Sequence, residues 1–585
     1  MIPAPSRAAA LACALLAPLL AAPAAGKDSR YVEDLEFIAR TVAQRYAALR
    51  SKDIDWKEEV KRARPAFEAC ADDVEHAGNV MRLLAVLRDS HTGVTRGPAG
   101  WEALPSKWDG LYGAGLWFAW EEGRVMLRGS MEGHALAGAL APGSALVAVE
   151  GLPAWLVLER EKRRITTWSG SSSDHSLFSS MGNRFLPFGQ KREIEAEFMD
   201  PERRGVRKLT VARWGPGGGA FTPSSATLPP QVPWQEGACA GFLVVDWCPR
   251  LGYLRITGGM NAETARAFHA ALDALAGAEA ILLDCRGMGG GGDGAAWEMA
   301  GRFFPAGADN GIHGRIEASG GWQYDGPLVM LQDESEVSSA ETFTWAMSET
   351  ERCVSVGRPT GGWGIIPAGF QCPSGLVDFR LGVNDRPTPI RGLRTEGVGW
   401  PADVRVPYGP VLCARPDPVR EVGLEVLRAL HGDNPLDQVR AAFAGLFAGE
   451  VEGFRKQAAR LARKAAGWSP EPLARRVLDD LEAELELELE LLRSDDVPAP
   501  DVEGAARRLE TLAARARAAG LKGPLKKLES EVRALRAERS AQGALLETLG
   551  ADFAPGERAR EAFLDRHGKT RTGRFAREVL WARDR

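Results

Sequence analysis

The chain has 585 residues, of which 45% are apolar and 26% charged, and a formal net charge of −5. That length is too great for one hydrophobic core and implies about three or four domains. The composition is that of a soluble globular protein, and the small negative charge argues against a general nucleic-acid partner. Residues 8–25, AAALACALLAPLLAAPAA, form an apolar run behind Arg7 that ends in small residues and gives way to GKDSR. The run is short for a bilayer span. It fits a signal peptide over residues 1–25, cleaved near Ala24 or Ala25, with an uncleaved anchor as the alternative. The expected location is therefore secreted or periplasmic. Seven cysteines follow, Cys70, Cys239, Cys248, Cys285, Cys353, Cys372 and Cys413, scattered and without a CxxC pair. No metal site is expected from them; an oxidising compartment leaves room for one or two disulfides of unassigned pairing.

Residues 26–100 read as a helical domain. YVEDLEFIARTVAQRYAAL places Leu35, Ile38, Val42 and Tyr46 at helical spacing. VMRLLAVLRD then runs directly into SHTGV, so His91 falls at a helix end or in the turn after it. Asp89, Ser90 and Thr92 flank it with small polar groups suited to orienting a ring. Residues 101–215 are β-rich: GAGLWFAW, GRVMLRGS, SALVAVEG, EIEAEF and RKLTVARW are short strand-like runs, and TTWSGSSSDHSLFSSMGN reads as a polar inserted loop. The order of these pieces resembles a PDZ domain. In that resemblance the backbone around Gly113, Gly115 and Leu116 receives a peptide's C-terminal carboxylate, and the adjacent sheet edge takes the peptide as an added strand. Residues 216–244, rich in Gly and Pro, read as a linker or wrapping arm.

Residues 245–418 have an α/β pattern. GYLRITG and AILLDCRG are strands, and NAETARAFHAALDAL between them is a helix capped by Asn261. The glycine loop Gly287–Gly292 lacks the Gly-Lys-Ser/Thr of a phosphate-binding P-loop and the spacing of a dinucleotide fingerprint. Its glycines suit close approach of backbone N–H groups to a reacting carbonyl instead. PLVMLQ is a buried strand, followed by a polar turn and by SSAETFTWAM, a helix with Glu341 in its first turn. A serine at such a turn is either an N-cap or a nucleophile next to unpaired N–H groups. CVSVGRPTGGWG and LVDFRLGV read as further strands of the unit. Residues 419–585 are helical: in RRVLDDLEAELELELELL, Leu478, Leu481, Leu485, Leu489 and Leu492 follow helical spacing. A helical bundle or a coiled-coil arm with solvated charged faces is expected there, offering a surface for homo-oligomer formation or a protein partner.

Five separated motifs occur in one order: L-x-D-x-H-T at 87–92, G-Y-L-R-I at 252–256, D-x-R-G-x-G-G-G at 284–291, S-S-A-E at 338–341 followed by V-G-x-x-T-x-G, and E-G-x-G at 396–399. The order resembles that of the C-terminal-processing (tail-specific) serine protease family over roughly residues 30–415. The resemblance implies a multidomain α/β protein with a crotonase-like ββα core, no cofactor, and polypeptide substrates. One branch of that family uses a Ser–Lys dyad. Here Trp363 stands where that lysine would be, and no lysine occurs between Lys208 and Lys456. The tricorn-core-like branch, with Ser, His, a second Ser and Glu, fits better. It implies Ser338 as nucleophile, His91 as base, Ser90 orienting the imidazole, and Glu396 acting through Ser90, through water or on the substrate. Backbone N–H groups of Gly290 and Ser339 would form the oxyanion hole. Met288 replaces the family's usual Asn, which keeps open a catalytically inactive relative that binds peptide or a hydrophobic ligand.

Overall fold

The computed structural model describes residues 29–104, 115–130, 136, 139–181, 193–200, 205–212, 228–304, 316–317, 319, 321–465, 467–494, 497, 499–550 and 555–582. The signal-peptide reading, Gly113 and much of the Gly/Pro-rich stretch lie outside them. The architecture is mixed α/β. Its centre is a six-stranded sheet in the order Val404–Arg405, Val354–Gly357, Leu328–Gln332, Ala280–Asp284, Leu251–Ile256, Ala238–Leu243. All neighbours pair parallel except the last two. Ala238–Leu243 corrects the linker reading of 216–244: an Ala- and Gly-rich strand flanked by Gly has little apolar alternation to reveal it.

A parallel sheet must be covered on both faces, and the pleat divides the side chains accordingly. Leu328, Met330, Ile281 and Leu283 pack with Phe268, Met299 and Phe343 of the helices Ala262–Asp273, Asp293–Ala300 and Ser339–Glu349. Val329, Leu331 and Leu282 pack on the other face with Val419, Val422 and Val426 of Pro418–His431, backed by Leu436–Phe447 and Val451–Leu461. The core therefore continues past residue 418. The amphipathic helix Pro418–His431 completes it because its apolar stripe has the sheet to bury against.

The N-terminal helices Ser29–Arg45, Trp56–Glu68 and Asp73–Ala85 bury Leu35, Ile38 and Val42 against Phe379 and Leu381. Those two residues belong to Asp378–Asn384, which does not join the central sheet. It forms a small antiparallel sheet with Ile366–Gln371 and with Gly93–Arg96, the strand that starts two residues after His91. This pairing fastens the early part of the chain to the core.

The middle domain is an antiparallel sheet in the order Leu116–Glu121, Arg124–Ser130, Ala145–Val149, Glu193–Asp200, Gly205–Ala212. Helix Ala154–Thr166 contributes Leu156 and Val157 to its core. The serine-rich segment, read as a loop, contains a second helix, Asp174–Met181. The C-terminal helices are not a projecting arm: Leu545, Leu549, Phe563 and Trp581 complete the middle domain's core. LELELELE lies within one helix, Glu471–Arg493. Its charges are not all solvated either. Glu484 is buried with Arg124 at 2.7 Å and Arg515 at 3.0 Å, and Glu488 with Arg508 at 2.7 Å. All seven described cysteines are free thiols, six of them buried, so none forms the disulfides that the oxidising-compartment reading allowed. Among the described residues no helix is long and apolar enough to cross a membrane.

Candidate active site

Strand Leu328–Gln332 ends at a turn that is over-determined by hydrogen bonds. Glu336 accepts the Asp333 N–H at 2.9 Å and the Thr344 hydroxyl at 2.5 Å, and Asp333 accepts the Ser335 N–H at 3.0 Å. The turn delivers Ser338 with φ 60° and ψ −127°, a left-handed conformation for a residue with a side chain. Such a conformation costs on the order of 1–3 kcal/mol and persists only where the surroundings impose it. Helix Ser339–Glu349 begins at the next residue, so its first-turn N–H groups lack intrahelical partners.

Glu341 locks this turn to the loop that follows strand Val354–Gly357. It accepts the N–H groups of Ser338 at 3.1 Å, Gly362 at 2.9 Å and Trp363 at 2.7 Å, and the Thr360 hydroxyl at 2.5 Å. Burial pushes its carboxyl up to about 7, while the four donors pull the other way. The Glu of S-S-A-E is thus a positioning residue whose role no sequence spacing states.

His91 sits in the turn after helix Asp73–Ala85. Asp89 fixes that turn: its carboxylate accepts the His91 N–H at 2.8 Å and the Thr92 hydroxyl at 2.7 Å. Thr92 in turn accepts the Gly382 N–H at 3.0 Å, which carries the tie into the small sheet. His91 Nε2 lies 2.9 Å from Ser338 Oγ across 247 positions of sequence. Trp363, at the position of the other branch's lysine, meets the imidazole edge-on with centroids 5.4 Å apart. Its indole N–H donates to Ser176 at 2.9 Å. Burial depresses the His91 pKa below the usual histidine value and Arg380 adds to this; Asp89 and Asp293 oppose it.

Ser90 and Glu396 do not touch the imidazole. Ser90 Oγ accepts the Ser172 N–H at 2.9 Å and the Ser90 N–H donates to Ser172 Oγ at 3.0 Å. The backbone at Ile365, and not Ser90, is the hydrogen-bonding group that supports the imidazole and works against the burial-driven fall in its pKa, which corrects the expectation that Ser90 orients the ring. A serine's neighbour in sequence points away from its side chain in extended or turn backbone, so adjacency gave no contact. Glu396 pairs with Lys52 at 2.5 Å and accepts the Gly364 N–H at 3.1 Å. Burial raises its carboxyl to about 7, the nearby Asp89 charge adds to the rise, and Lys52 and the Ser172 hydroxyl oppose it. A lysine does therefore reach the site, on the acid and not on the nucleophile. The serine-rich segment closes over the same loop: Ser173 donates to the Gly361 carbonyl at 2.7 Å, and His175 Nε2 lies 2.8 Å from the Thr360 carbonyl. Ser172, Ser173, His175 and Ser176 were missed because a run of small polar residues reads as solvated loop.

Gly290 lies on Gly289–Gly291, which pairs with Gly259–Met260 beside the serine. A Cβ on Gly290 would meet Ser338 Cβ at 2.6 Å and the Val337 carbonyl at 3.0 Å. Backbone on one side and helix start on the other leave no room to shift. Gly290→Ala is therefore expected to lower kcat by about 10²-fold or more, since misplacing reacting groups by an ångström costs that much. Steady-state hydrolysis with circular dichroism as the folding control checks it. Met288 is fully buried among Met260, Phe268 and Met299 and does not face the cleft. Of the residues expected to receive a peptide carboxylate, Gly115 has φ 65° and Leu116 opens an edge strand with its side chain in the core.

A hydroxyl set on a strained helix start, with an imidazole at hydrogen-bond distance and glycine backbone against it, is built for nucleophilic acyl transfer by serine. This is the arrangement of a serine acyl-transfer enzyme. Residues 250–404 match the model of Peptidase family S41, which together with this geometry marks the protein as a serine-type peptidase. Solved structures with a similar fold include a photosystem II D1 C-terminal processing protease (19% identity over 69% of this chain and 97% of that chain, TM-score 0.38). Mature CPAF is another (14% identity, 71% and 98% coverage, TM-score 0.48). A third is a putative S41 protease from Bacteroides fragilis (12% identity, 68% and 98% coverage, TM-score 0.35).

Proposed function

We propose that the protein is a serine endopeptidase that cleaves unfolded or C-terminally exposed polypeptides, with Ser338 as nucleophile and His91 as general base. The observation that carries this is the 2.9 Å approach of His91 Nε2 to Ser338 Oγ. His91 takes the hydroxyl proton as Oγ bonds to the scissile carbonyl carbon, and the N–H groups of Gly290 and Ser339 receive the oxyanion. Collapse breaks the C–N bond, and the imidazolium returns the proton to the leaving amine. Water, deprotonated by the same imidazole, then releases the acyl chain as a carboxylic acid. Ser90 and Glu396 serve this chemistry by holding the turn through Ser172, Gly364 and Lys52.

An unfolded substrate is favoured by the apolar side chains left open beside the site. Ile366 is 50% and Val398 60% exposed, on the segments that carry Trp363 and Glu396. The middle domain is read as PDZ-like, with the backbone at Gly113, Gly115 and Leu116 taking a C-terminal carboxylate. Support for this is the position of Leu116–Glu121 at a sheet edge. The core is read as crotonase-like, and the location as secreted or periplasmic, on the residue patterns described above. The test is cleavage of casein and of a long unstructured peptide with a free or an amidated C-terminus. Casein cleavage and a preference for the free acid are expected; absence of cleavage of either overturns the reading.

The depressed pKa of His91 sets a pH expectation. The base form must be neutral, so kcat/KM should rise with unit slope and reach its half-point below 6.5, the ordinary histidine value. A half-point at or above 6.5 in a kcat/KM profile would contradict this.

A further inference from the structure

Three side chains of the kinds that hold transition metals converge at the N-terminal ends of two inner strands of the central sheet, away from Ser338. One ligand atom each from Cys248, Glu279 and His431 lie within 4.8 Å of one another. Glu279 Oε2 is 3.5 Å from His431 Nε2. Cys248 precedes strand Leu251–Ile256, Glu279 precedes strand Ala280–Asp284, and His431 is the last residue of helix Pro418–His431. The glycine loop and Ser338 follow the opposite, C-terminal ends of the strands. At about 3.3 Å per residue, Ala280–Asp284 alone separates the two places by roughly 16 Å, so the cluster takes no part in peptide hydrolysis.

The two loops are tied together before any ligand arrives. The Glu279 N–H donates to the Arg250 carbonyl at 3.0 Å. The Arg250 guanidinium donates to the carbonyls of Gly277 at 2.8 Å and Ala276 at 2.7 Å. Trp247 packs against the His431 ring with centroids 5.6 Å apart. These contacts restrict the ligands' freedom in the way supported metal sites do. Cys248 is buried, while the Glu279 and His431 side chains are 42% and 27% exposed, which gives an ion a path from solvent.

We propose that Cys248, Glu279 and His431 bind a zinc-type divalent cation, with water in the fourth position. Thiolate and imidazole together suit Zn²⁺ and disfavour Ca²⁺ and Mg²⁺, which prefer oxygen alone. The 3.5 Å oxygen-to-nitrogen separation is near the edge of a tetrahedron built on bonds of about 2.0–2.2 Å. On binding, the Cys248 S–H bond breaks, its proton goes to solvent and the thiolate sulfur donates to the metal; no oxidant or reductant is needed. Because the ligands bind only in their deprotonated forms, affinity rises with pH. The bound ion clips the end of Pro418–His431, which covers one face of the peptidase core, to the two loops beneath it.

The full chain, stripped with chelator and titrated with Co²⁺, tests this. One equivalent is expected to bind with a thiolate-to-cobalt charge-transfer band in the near ultraviolet, and Zn²⁺ should displace it. Cys248→Ser should lose that band, and His431→Gln and Glu279→Gln should weaken binding by about tenfold or more. A wild-type chain that binds no Co²⁺, or shows no charge-transfer band, overturns the proposal. Because Cys248 is buried and its variant risks misfolding, the two partly exposed positions decide independently. Unchanged cobalt affinity in both His431→Gln and Glu279→Gln overturns the proposal as well.

Discussion

Ser338→Ala is expected to reduce peptide hydrolysis by at least about 10³-fold while leaving the fold intact. Removing one member of a serine–histidine pair forfeits nearly all of the pair's contribution, because nucleophile and base act as a unit. His91→Ala should therefore cost a similar factor, and the double variant little more than either. Ser338 makes its backbone bonds through groups that the substitution keeps: its N–H to Glu341 and its carbonyl to the Glu341 N–H at 2.8 Å. Thermal unfolding should stay close to wild type. A serine-directed phosphonate should label the wild type at Ser338, label His91→Ala slowly and leave Ser338→Ala unlabelled. Equal hydrolysis by wild type and Ser338→Ala would remove the nucleophile assignment and, with it, the proposed function.

Arg286→Met is expected to cost about 3–5 kcal/mol of the core's stability, the range for leaving buried charges unpaired. Its guanidinium is fully buried between two carboxylates. It donates to Asp284 at 2.8 and 2.7 Å and to Asp417 at 2.7 and 2.9 Å, bridging the strand Ala280–Asp284 to the start of helix Pro418–His431. Burial alone would raise the Asp284 carboxyl; Arg286 overrides it and holds the group down at about 2. In the wild type this contribution is present above the ordinary carboxyl value near 3.8 and is lost as pH falls through about 2. In the variant Asp284 loses the cation that holds its carboxyl down, and burial then favours its protonated form. Its stability contribution is therefore lost as pH rises through its new, raised value. The gap between the two proteins should be widest near neutral pH and close toward acid. Urea unfolding followed by tryptophan fluorescence at several pH values checks it; a gap that does not depend on pH would show that this pair is not what Arg286 holds.

Much of the local structure was legible because it depends on neighbours in sequence. Fully apolar runs such as AILL and LVML have one way to be buried, and S-S-A-E marks its helix start without help from elsewhere. The short strand Ala238–Leu243 lacked that signal, and the strand Asp378–Asn384 had it but gave no sign of which sheet it would join. The serine-rich segment is a further case: Ser172 and Ser176 look like solvated polar residues until Ser90 and Trp363 are brought against them. Glu484 and Glu488 read as surface charges on a helix because their partners, Arg124, Arg508 and Arg515, lie 20 or more positions away in sequence.

The sequence by itself determined which residues have the chemistry: an imidazole in D-S-H-T, a hydroxyl at a strand-to-helix turn, a run of glycines without a phosphate motif, and the lack of a lysine in the chain segment around the nucleophile. Residue type and short-range spacing are local properties, and they survive without the fold. Only the tertiary structure decided that Ser90 faces Ser172 and leaves the ring, that Glu396 holds Lys52, and that Glu341 ties the nucleophile turn to the loop bearing Trp363. Those contacts join positions that share no period or motif, and it is the packing of the small sheet onto the core that brings them within hydrogen-bond reach.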